Sequence, residues 1–289
     1  MGLTGLREAA PAKVNLCLYL GPVRDDGRHE LVTVLQPVSL SDRVELEPAN
    51  LGTAADEVVC PGVEGENLAA LALRRFRERT DWNGAAVRLT IEKRIPIAAG
   101  MAGGSADAGA TLRLLARGVG VGDDALLHEI ATELGADVAA QLRPARYLAT
   151  GAGERLTPLP APPAYGVLVV PARSQLSTAE VYREADRQGL VRDATELAAK
   201  LREVSAVAAD LPDDLVVNDL EPAARALCPE IDGALADARR VGAARALVCG
   251  SGPTVIGLFS DLPAARGAAA RLSERQPRPF AVTPWGGTP

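Results

Sequence analysis

The stretch that most constrains the chain is residues 95–112, Ile-Pro-Ile-Ala-Ala-Gly-Met-Ala-Gly-Gly-Ser-Ala-Asp-Ala-Gly-Ala-Thr-Leu. Before it, Val87, Leu89 and Ile91 alternate with Arg88, Thr90 and Glu92, the period-two pattern of a half-buried strand. After it, Ala108, Thr111, Leu112, Leu114 and Leu115 recur at helical spacing. Gly100, Gly103 and Gly104 fall between, with Ser105 placed as the helix N-cap and Asp107 in the first turn. A strand, a small-residue loop and a helix start aim backbone N–H groups and a positive dipole end at one concavity, which suits phosphate. Glycine matters there because a Cβ would hold the main chain away from the oxygens. The same pattern also serves as a plain structural turn. No G-x-x-x-x-G-K-[ST] occurs, and no G-x-G-x-x-G follows a strand, so a phosphate would be held in some other way.

The rest of the chain supplies strands and helices in alternation. Residues 11–20 alternate from Val14 onward, which puts Lys13 and Asn15 on one face of a strand, opposite Val14 and Leu16. Asp25-Asp26-Gly27 marks a turn, and Arg28-His29-Glu30 leads into strands at 31–38 and 43–47. A helix is expected over 67–79, a strand over 87–92, and helices from the glycine loop to about Arg117 and over 124–134. His128 falls on the solvent side of that last helix, while His29 reads as a structural or a chemical residue. Asp137, in Gly135-Ala136-Asp137-Val138, is a helix cap or a functional carboxylate. Residues 146–154 form a strand ending in a glycine turn.

The Pro-rich segment 158–163 is the best boundary, giving domains 1–157 and 164–289. Beyond it come a strand at 167–170, a helix at 178–186 and an acidic, Ala-rich polar stretch. Helices near 222–227 and 230–239, strands 246–249 and 255–259, helix 262–274 and a short strand at 279–282 complete an α+β pattern.

Composition excludes several classes. A net charge of −6 argues against a general nucleic-acid or anionic-membrane binder. The four cysteines, Cys17, Cys60, Cys228 and Cys249, are scattered with no C-x-x-C, as in a cytosolic protein with reduced thiols and no metal site. No apolar run reaches 18 residues, and no signal pattern opens the chain. Of 31 basic residues only Lys13, Lys93 and Lys200 are lysines, so a site keeping lysine wants a compact point charge.

Four tracts, in order, resemble the GHMP kinases, and within them the branch acting on 4-diphosphocytidyl-2-C-methyl-D-erythritol in the non-mevalonate isoprenoid route. They are Pro11-Ala12-Lys13-Val14-Asn15-Leu16 with Asp26-Gly27-Arg28-His29-Glu30-Leu31; Ile95–Leu112; Gly135-Ala136-Asp137-Val138 with Gly151-Ala152-Gly153-Glu154; and Gly250-Ser251-Gly252-Pro253-Thr254 with Asn218-Asp219-Leu220-Glu221-Pro222. The resemblance implies a ribosomal-S5-domain-2-like N-terminal domain, a ferredoxin-like C-terminal domain and an active site in the cleft between.

It further implies an ATP-dependent phosphorylation of an alcohol, with ATP and Mg²⁺ as cofactors and a small-molecule acceptor. Pro96, Ile97, Ala98, Ala99, Gly100, Met101, Ala102, Gly103, Gly104, Ser105 and Ala106 would form the ATP-binding stretch, with Ser105 reaching the β/γ-phosphates or Mg²⁺. Asp137 would accept the substrate hydroxyl proton, and Lys13 would stabilise the developing alkoxide or the travelling phosphoryl group. His29 and Asn15 would hold the acceptor, and Tyr182 would stack on its cytosine. Arg28 stands where the branch usually has a tyrosine, and a guanidinium plane also stacks on a base. Ala98, Ala99 and Ala102 replace glycines, and Ala139-Ala140-Gln141 replace a Pro and aromatics. No nucleic acid or membrane partner is implied, a homodimer is left open, and the expected location is the cytoplasm. Two rivals remain: a GHMP kinase for another small alcohol, and a non-catalytic S5-like binding protein, for instance for RNA.

Overall fold

The computed structural model describes residues 3, 5–50, 52–53, 55–65, 67–97, 99–207 and 211–286. Two long strands, β1 (Leu6–Val23) and β2 (His29–Pro48), pair antiparallel around the Asp25-Asp26-Gly27 turn. The expected strands 31–38 and 43–47 are thus one strand. Pairing with β1 shifts register near Pro11–Lys13, and the C-terminal segment supports β2 there: Ser39 N–H donates to the Thr283 carbonyl at 2.8 Å.

β2 is the spine of the first sheet. After it come β3 (Glu57–Val59), α1 (Leu68–Thr80), β4 (Val87–Glu92) and α2 (Gly103–Val119). Then follow α3 (Asp124–Leu134), α4 (Ala136–Gln141), β5 (Tyr147–Thr150) and β6 (Arg155–Pro158). Residues 43–48 of β2 pair with β4, residues 33–35 pair with β5, and the sheet order is β3-β4-β2-β5-β6 with β1 along β2. The expected strand at 146–154 is therefore the first half of a hairpin. Asn67 caps α1 by accepting the Ala69 N–H, as its type favours. α2 lies against the sheet with Ala106, Ala108, Ala110, Leu112, Leu114 and Leu115 fully buried. It ends where Gly120 turns left-handed, so Gly118 lies inside the helix rather than breaking it.

The second half begins with β7 (Gly166–Val170), α5 (Thr178–Gln188) and α6 (Ala194–Ala206). The polar reading of 194–206 is corrected: Asp193 and Glu196 close a capping box, and Leu197 and Val204 are buried on one helical face. After a short turn at Asp213–Leu215 come α7 (Glu221–Leu227), α8 (Glu230–Arg240), β8 (Arg245–Val248), β9 (Val255–Phe259), α9 (Leu262–Arg271) and β10 (Phe280–Val282). The second sheet is antiparallel, in the order β10-β7-β9-β8.

Strand alternation sends Leu168, Val170, Val255 and Phe259 against Ile231 and Leu235 of α8 and Ala265 and Ala268 of α9. Val167, Val169 and Ile256 join instead the cluster containing Val14 of β1 and Leu114 of α2. The apolar interior is therefore continuous between the two sheets. Each buried aliphatic side chain contributes about 1.5–3 kcal/mol to that interior. Polar ties reinforce it: Leu18 N–H donates to the Val217 carbonyl at 2.7 Å, and Asp219 N–H to the Leu18 carbonyl at 2.9 Å. All four cysteines are unpaired, and among the described residues no helix is long and apolar enough to cross a membrane.

Candidate active site

Lys13 reaches its place through the strand edge that β2 leaves free. Its backbone N–H donates to the Met101 carbonyl at 3.1 Å, tying β1 to the glycine loop. The period-two spacing puts Lys13 and Asn15 on one face, and Lys13 Nζ donates to Asn15 Oδ1 at 2.8 Å. Asn15 Nδ2 donates in turn to Thr33 Oγ1 at 2.8 Å, and the Thr33 hydroxyl donates to the Cys17 carbonyl. An ammonium only donates, so this relay sets the orientation of the amide. Lys13 is 9% exposed, so its head group is held rather than waving in solvent.

Asp137 lies in the first turn of α4. Gly135 is the N-cap, and the Asp137 side chain makes no cap bond, so the capping alternative is set aside. Its Oδ2 stands 3.5 Å from Lys13 Nζ, and its side chain is 40% exposed. The helix is fastened to the strand by Gln141, whose Nε2 donates to the Pro11 carbonyl at 2.9 Å, two residues before Lys13. The Ala139-Ala140-Gln141 departure thus has a function in register: two small buried residues and one amide that seats α4 on β1.

The loop differs from expectation at its helix end. α2 starts at Gly103, three residues earlier than a Ser105 cap would allow, and Ala102 precedes it in the left-handed region with φ 55° and no side-chain cap. The N–H groups of the first turn are consequently not occupied by a capping side chain. Asp107 falls in the second turn. Gly100, at φ 71°, lies so close to the second glycine tract that a Cβ would stand 2.7 Å from the Gly252 carbonyl oxygen. Gly250, at φ 56°, has Asn15 Oδ1 at 3.1 Å and Lys13 Nζ at 3.9 Å from its own Cβ position. Asn218 holds that tract from below, donating from Nδ2 to the Val248 and Gly250 carbonyls at 2.8 and 2.7 Å. Two glycine loops therefore meet main chain to main chain beside the lysine.

A buried charge cluster closes the base of the loop. Lys93, at the end of β4, donates to both Asp42 and Asp107, the latter at 2.7 Å. Asp42 also accepts from the N–H groups of Arg94 and Ile95. Burial pushes the Asp107 carboxyl up to about 7, the Lys93 charge opposing and Asp42 assisting, as expected where two carboxylates share one ammonium. Burial works against the Lys93 ammonium, but the two carboxylates outweigh it and raise its pKa.

These groups surround one cavity of about 840 Å³. Lys13, Asn15, Asp137, Arg28 and Tyr182 line it, as do Pro96, Ile97, Ala99, Gly100, Met101, Ala102, Gly103, Gly104 and Ser105. Ala106 does not, being fully buried, and Ala98 lies outside the described residues. The Arg28 guanidinium is held by Asp26, with Nη2 at 2.9 Å and Nε at 3.1 Å from Oδ2. His29 is not among the lining residues: it is 6% exposed, its Nε2 lies 2.8 Å from Asp186 Oδ1, and its ring is 5.3 Å from that of Tyr182. Burial, with the charge of Asp137 adding, pushes the Tyr182 phenol up to about 12. Sequence reasoning passed over Thr33, Val63, Asn67, Leu68, Thr178 and Ser251 as lining residues. Of these only Ser251 and Asn67 carried a signal, one inside a glycine tract and one as a helix cap.

Comparison with known proteins decides the family. Residues 67–143 match the GHMP kinases N terminal domain, and residues 193–278 match GHMP kinases C terminal. The chain belongs to the GHMP kinase family. A 4-diphosphocytidyl-2-C-methyl-D-erythritol kinase of Anaeromyxobacter dehalogenans (strain 2CP-C) is 41% identical over 276 residues, covering 92% of this GHMP kinase and 84% of that protein. A crystal structure of 4-(cytidine 5'-diphospho)-2C-methyl-D-erythritol kinase superposes with a TM-score of 0.79 at 35% identity, over 98% of this chain and 100% of that one. A homoserine kinase from Cytophaga hutchinsonii, 18% identical with a TM-score of 0.71 over 97% and 94% of the two chains, shares the fold. The α+β architecture of this GHMP kinase is that of the family, and membership carries ATP use with it.

Proposed function

We propose that this GHMP kinase transfers the γ-phosphoryl group of ATP to the 2-hydroxyl of 4-diphosphocytidyl-2-C-methyl-D-erythritol, a cytoplasmic step toward isoprenoid precursors. The observation that carries the reading is the 3.5 Å approach of Lys13 Nζ and Asp137 Oδ2 inside the cavity that the glycine loop also lines. The names of the closely similar kinases support the acceptor.

Phosphoryl transfer asks for positioning and charge stabilisation. Asp137 accepts the proton of the attacking hydroxyl as its oxygen bonds to the γ-phosphorus and the bond to the β-γ bridging oxygen breaks, leaving ADP. Lys13, fixed by Asn15, stabilises negative charge on the attacking oxygen and the moving group. The N–H groups of the loop and the start of α2 meet the phosphates. Magnesium fits this donor set. Ser105, at the start of α2, would hold it, and among the described residues no group of three or more His, Cys, Asp or Glu is built to hold an ion on its own. An ion that keeps water and phosphate oxygens needs few protein ligands, and when bound it neutralises charge on the β/γ-phosphates.

Tyr182 and Arg28, both lining the cavity, would be the two flat groups between which a base stacks, with Asn15 beside them to hold the acceptor; the role of His29 rests on the resemblance, since it does not line the cavity. In this reading residues 1–157 form the ATP-binding domain and 164–289 the second domain. Arg28 also favours a second reading, a different small alcohol, because its guanidinium replaces a ring. Turnover of Mg-ATP with the diphosphocytidyl substrate, mevalonate and homoserine separates them. ADP release with the first and phosphate on its 2-hydroxyl is the expected result. Turnover with another alcohol alone would discard the acceptor, and none with any would turn the site into a binding site.

A further inference from the structure

We infer that Arg24 is a positioning residue for the acceptor: its guanidinium, shared between Glu154 and Asp26, sets the part of the cavity wall that Arg28, Ala152 and Gly153 form. The inference rests on the reading above, in which the acceptor meets Arg28.

Arg24 directly follows β1, at the turn that leads into β2. Its Nη1 donates to Glu154 Oε1 at 2.7 Å, and its Nη2 lies 3.3 Å from Asp26 Oδ2. Glu30 Oε2 stands 3.7 Å from Nη1, so three carboxylates face this one guanidinium. The same Asp26 oxygen accepts from Nη2 and Nε of Arg28, so one carboxylate ties the two guanidinium groups together. Glu154 carries the other branch. Its Oε2 accepts the Ala152 N–H at 2.6 Å, and its carboxylate lies over Gly151, where a Cβ would stand 2.4 Å from Oε1. The Gly151 carbonyl accepts the Leu31 N–H at 2.7 Å, which seats this turn on β2. Gly153, at φ 102°, packs so closely that its own Cβ would stand 3.3 Å from the Cβ of Ala136, the residue before Asp137. Arg28, Ala152, Gly153, Ala136 and Asp137 all line the cavity, whereas Arg24 and Glu154 stand behind them.

The hairpin closes without this side chain. Arg24 N–H donates to the Arg28 carbonyl at 2.7 Å, and Gly27 N–H to the Arg24 carbonyl at 3.0 Å. Partly exposed ion pairs add little to stability, but a planar fork that holds two carboxylates fixes how far apart they stand. A lysine ammonium in its place would pair with either carboxylate as a point charge and could not brace both. The phosphate loop is fastened elsewhere, through the Lys13 N–H to the Met101 carbonyl and the meeting of Gly100 with Gly252. Loss of the fork should therefore be felt by the acceptor and not by ATP.

The test is steady-state kinetics with Mg-ATP and the diphosphocytidyl acceptor. It compares wild type, Arg24→Lys, Arg24→Gln, Glu154→Gln and the double variant Arg24→Gln/Glu154→Gln, with circular dichroism to show that each is folded. For Arg24→Gln the expected result is a kcat/KM for the acceptor lower by about 10- to 100-fold, with KM for ATP within about twofold of wild type. Arg24→Lys should recover only part of the loss. Glu154→Gln should show the same split between the two substrates. The double variant should fall no more than about threefold below Arg24→Gln, because both changes cut one link. Should Arg24→Gln fail to fold, Glu154→Gln reads the same split, since it keeps the side-chain shape and an oxygen for the Ala152 N–H. A pair that only braces the fold would lower the thermal midpoint and leave the kinetic constants of the folded enzyme unchanged, and that outcome overturns the inference. So does a KM for ATP that rises in step with that of the acceptor, or two losses that multiply in the double variant. Wild-type enzyme that does not phosphorylate the diphosphocytidyl acceptor removes the proposed function and this inference together. Wild-type turnover with unchanged kinetics in Arg24→Gln removes the inference alone.

Discussion

Asp137 makes no bond that the fold needs, since Gly135 caps its helix and its side chain is partly open to the cavity. Asp137→Asn should therefore leave stability nearly unchanged while kcat falls by about 10²–10⁴, the usual worth of a general base. Near-normal turnover in a folded variant would remove the base role. Ala102 is the reverse case, a residue whose backbone conformation is uncommon for any side chain, at φ 55°. Ala102→Gly should stabilise the protein by up to about 1 kcal/mol, raising the thermal midpoint by about 2 °C. Asp107 adds a dependence on pH. Its folded pKa of about 7 exceeds the ordinary 3.8, so the folded protein holds that proton more tightly than the unfolded chain. The resulting stabilisation is complete below about pH 4 and is lost as pH rises through about 7. Urea denaturation of wild type and Asp107→Asn should show the wild type losing ground to the variant from pH 4 to pH 8; a gain would refute the assignment.

At the level of elements, the α4–β1 junction sets the distance between ammonium and carboxylate. Gln141→Ala leaves the Pro11 carbonyl without its partner, a loss of about 1–3 kcal/mol, and kcat should drop while KM for ATP holds. A matching rise in KM for ATP would mean that the glycine loop had moved as well. Much of this geometry was legible in the chain. Alternation placed Lys13 beside Asn15, the helix expected over 67–79 met α1 to within a residue at each end, and the spacing around Val87 gave β4 to the residue. What could not be read were facts belonging to two distant segments at once. Nothing local to Gln141 reveals the Pro11 carbonyl, and nothing near Ser105 tells that the helix starts at Gly103 after a left-handed alanine. His29 was legible as a residue of interest, but its attachment to Asp186, 157 positions on, was not. Helix α6 was different, for its Asp193/Glu196 capping box and apolar spacing stood in plain view beneath an acidic composition.

Across the whole molecule, the Pro-rich segment reads as a boundary while the interior ignores it. Leu197 of α6 packs in the same cluster as β1, and Trp285 N–H donates to the Pro37 carbonyl at 2.8 Å. Unfolding should accordingly be one transition. The two tryptophans allow the check: Trp82 stacks edge-on against Phe76 in the first half, and Trp285 closes the C-terminal segment on β2. Fluorescence from variants keeping one or the other should give the same urea midpoint as circular dichroism. Separated midpoints would mean two independently stable halves. The meeting of Gly100 with Gly252, and of Gly250 with Lys13 and Asn15, has a bearing on how such an enzyme can vary. That floor is polypeptide backbone, which substitution cannot rewrite piecemeal, whereas Arg28 and Tyr182 stand on the walls as exchangeable side chains. Divergence in what is phosphorylated can therefore accumulate on the walls, while the place where phosphorus changes hands stays closed to gradual change.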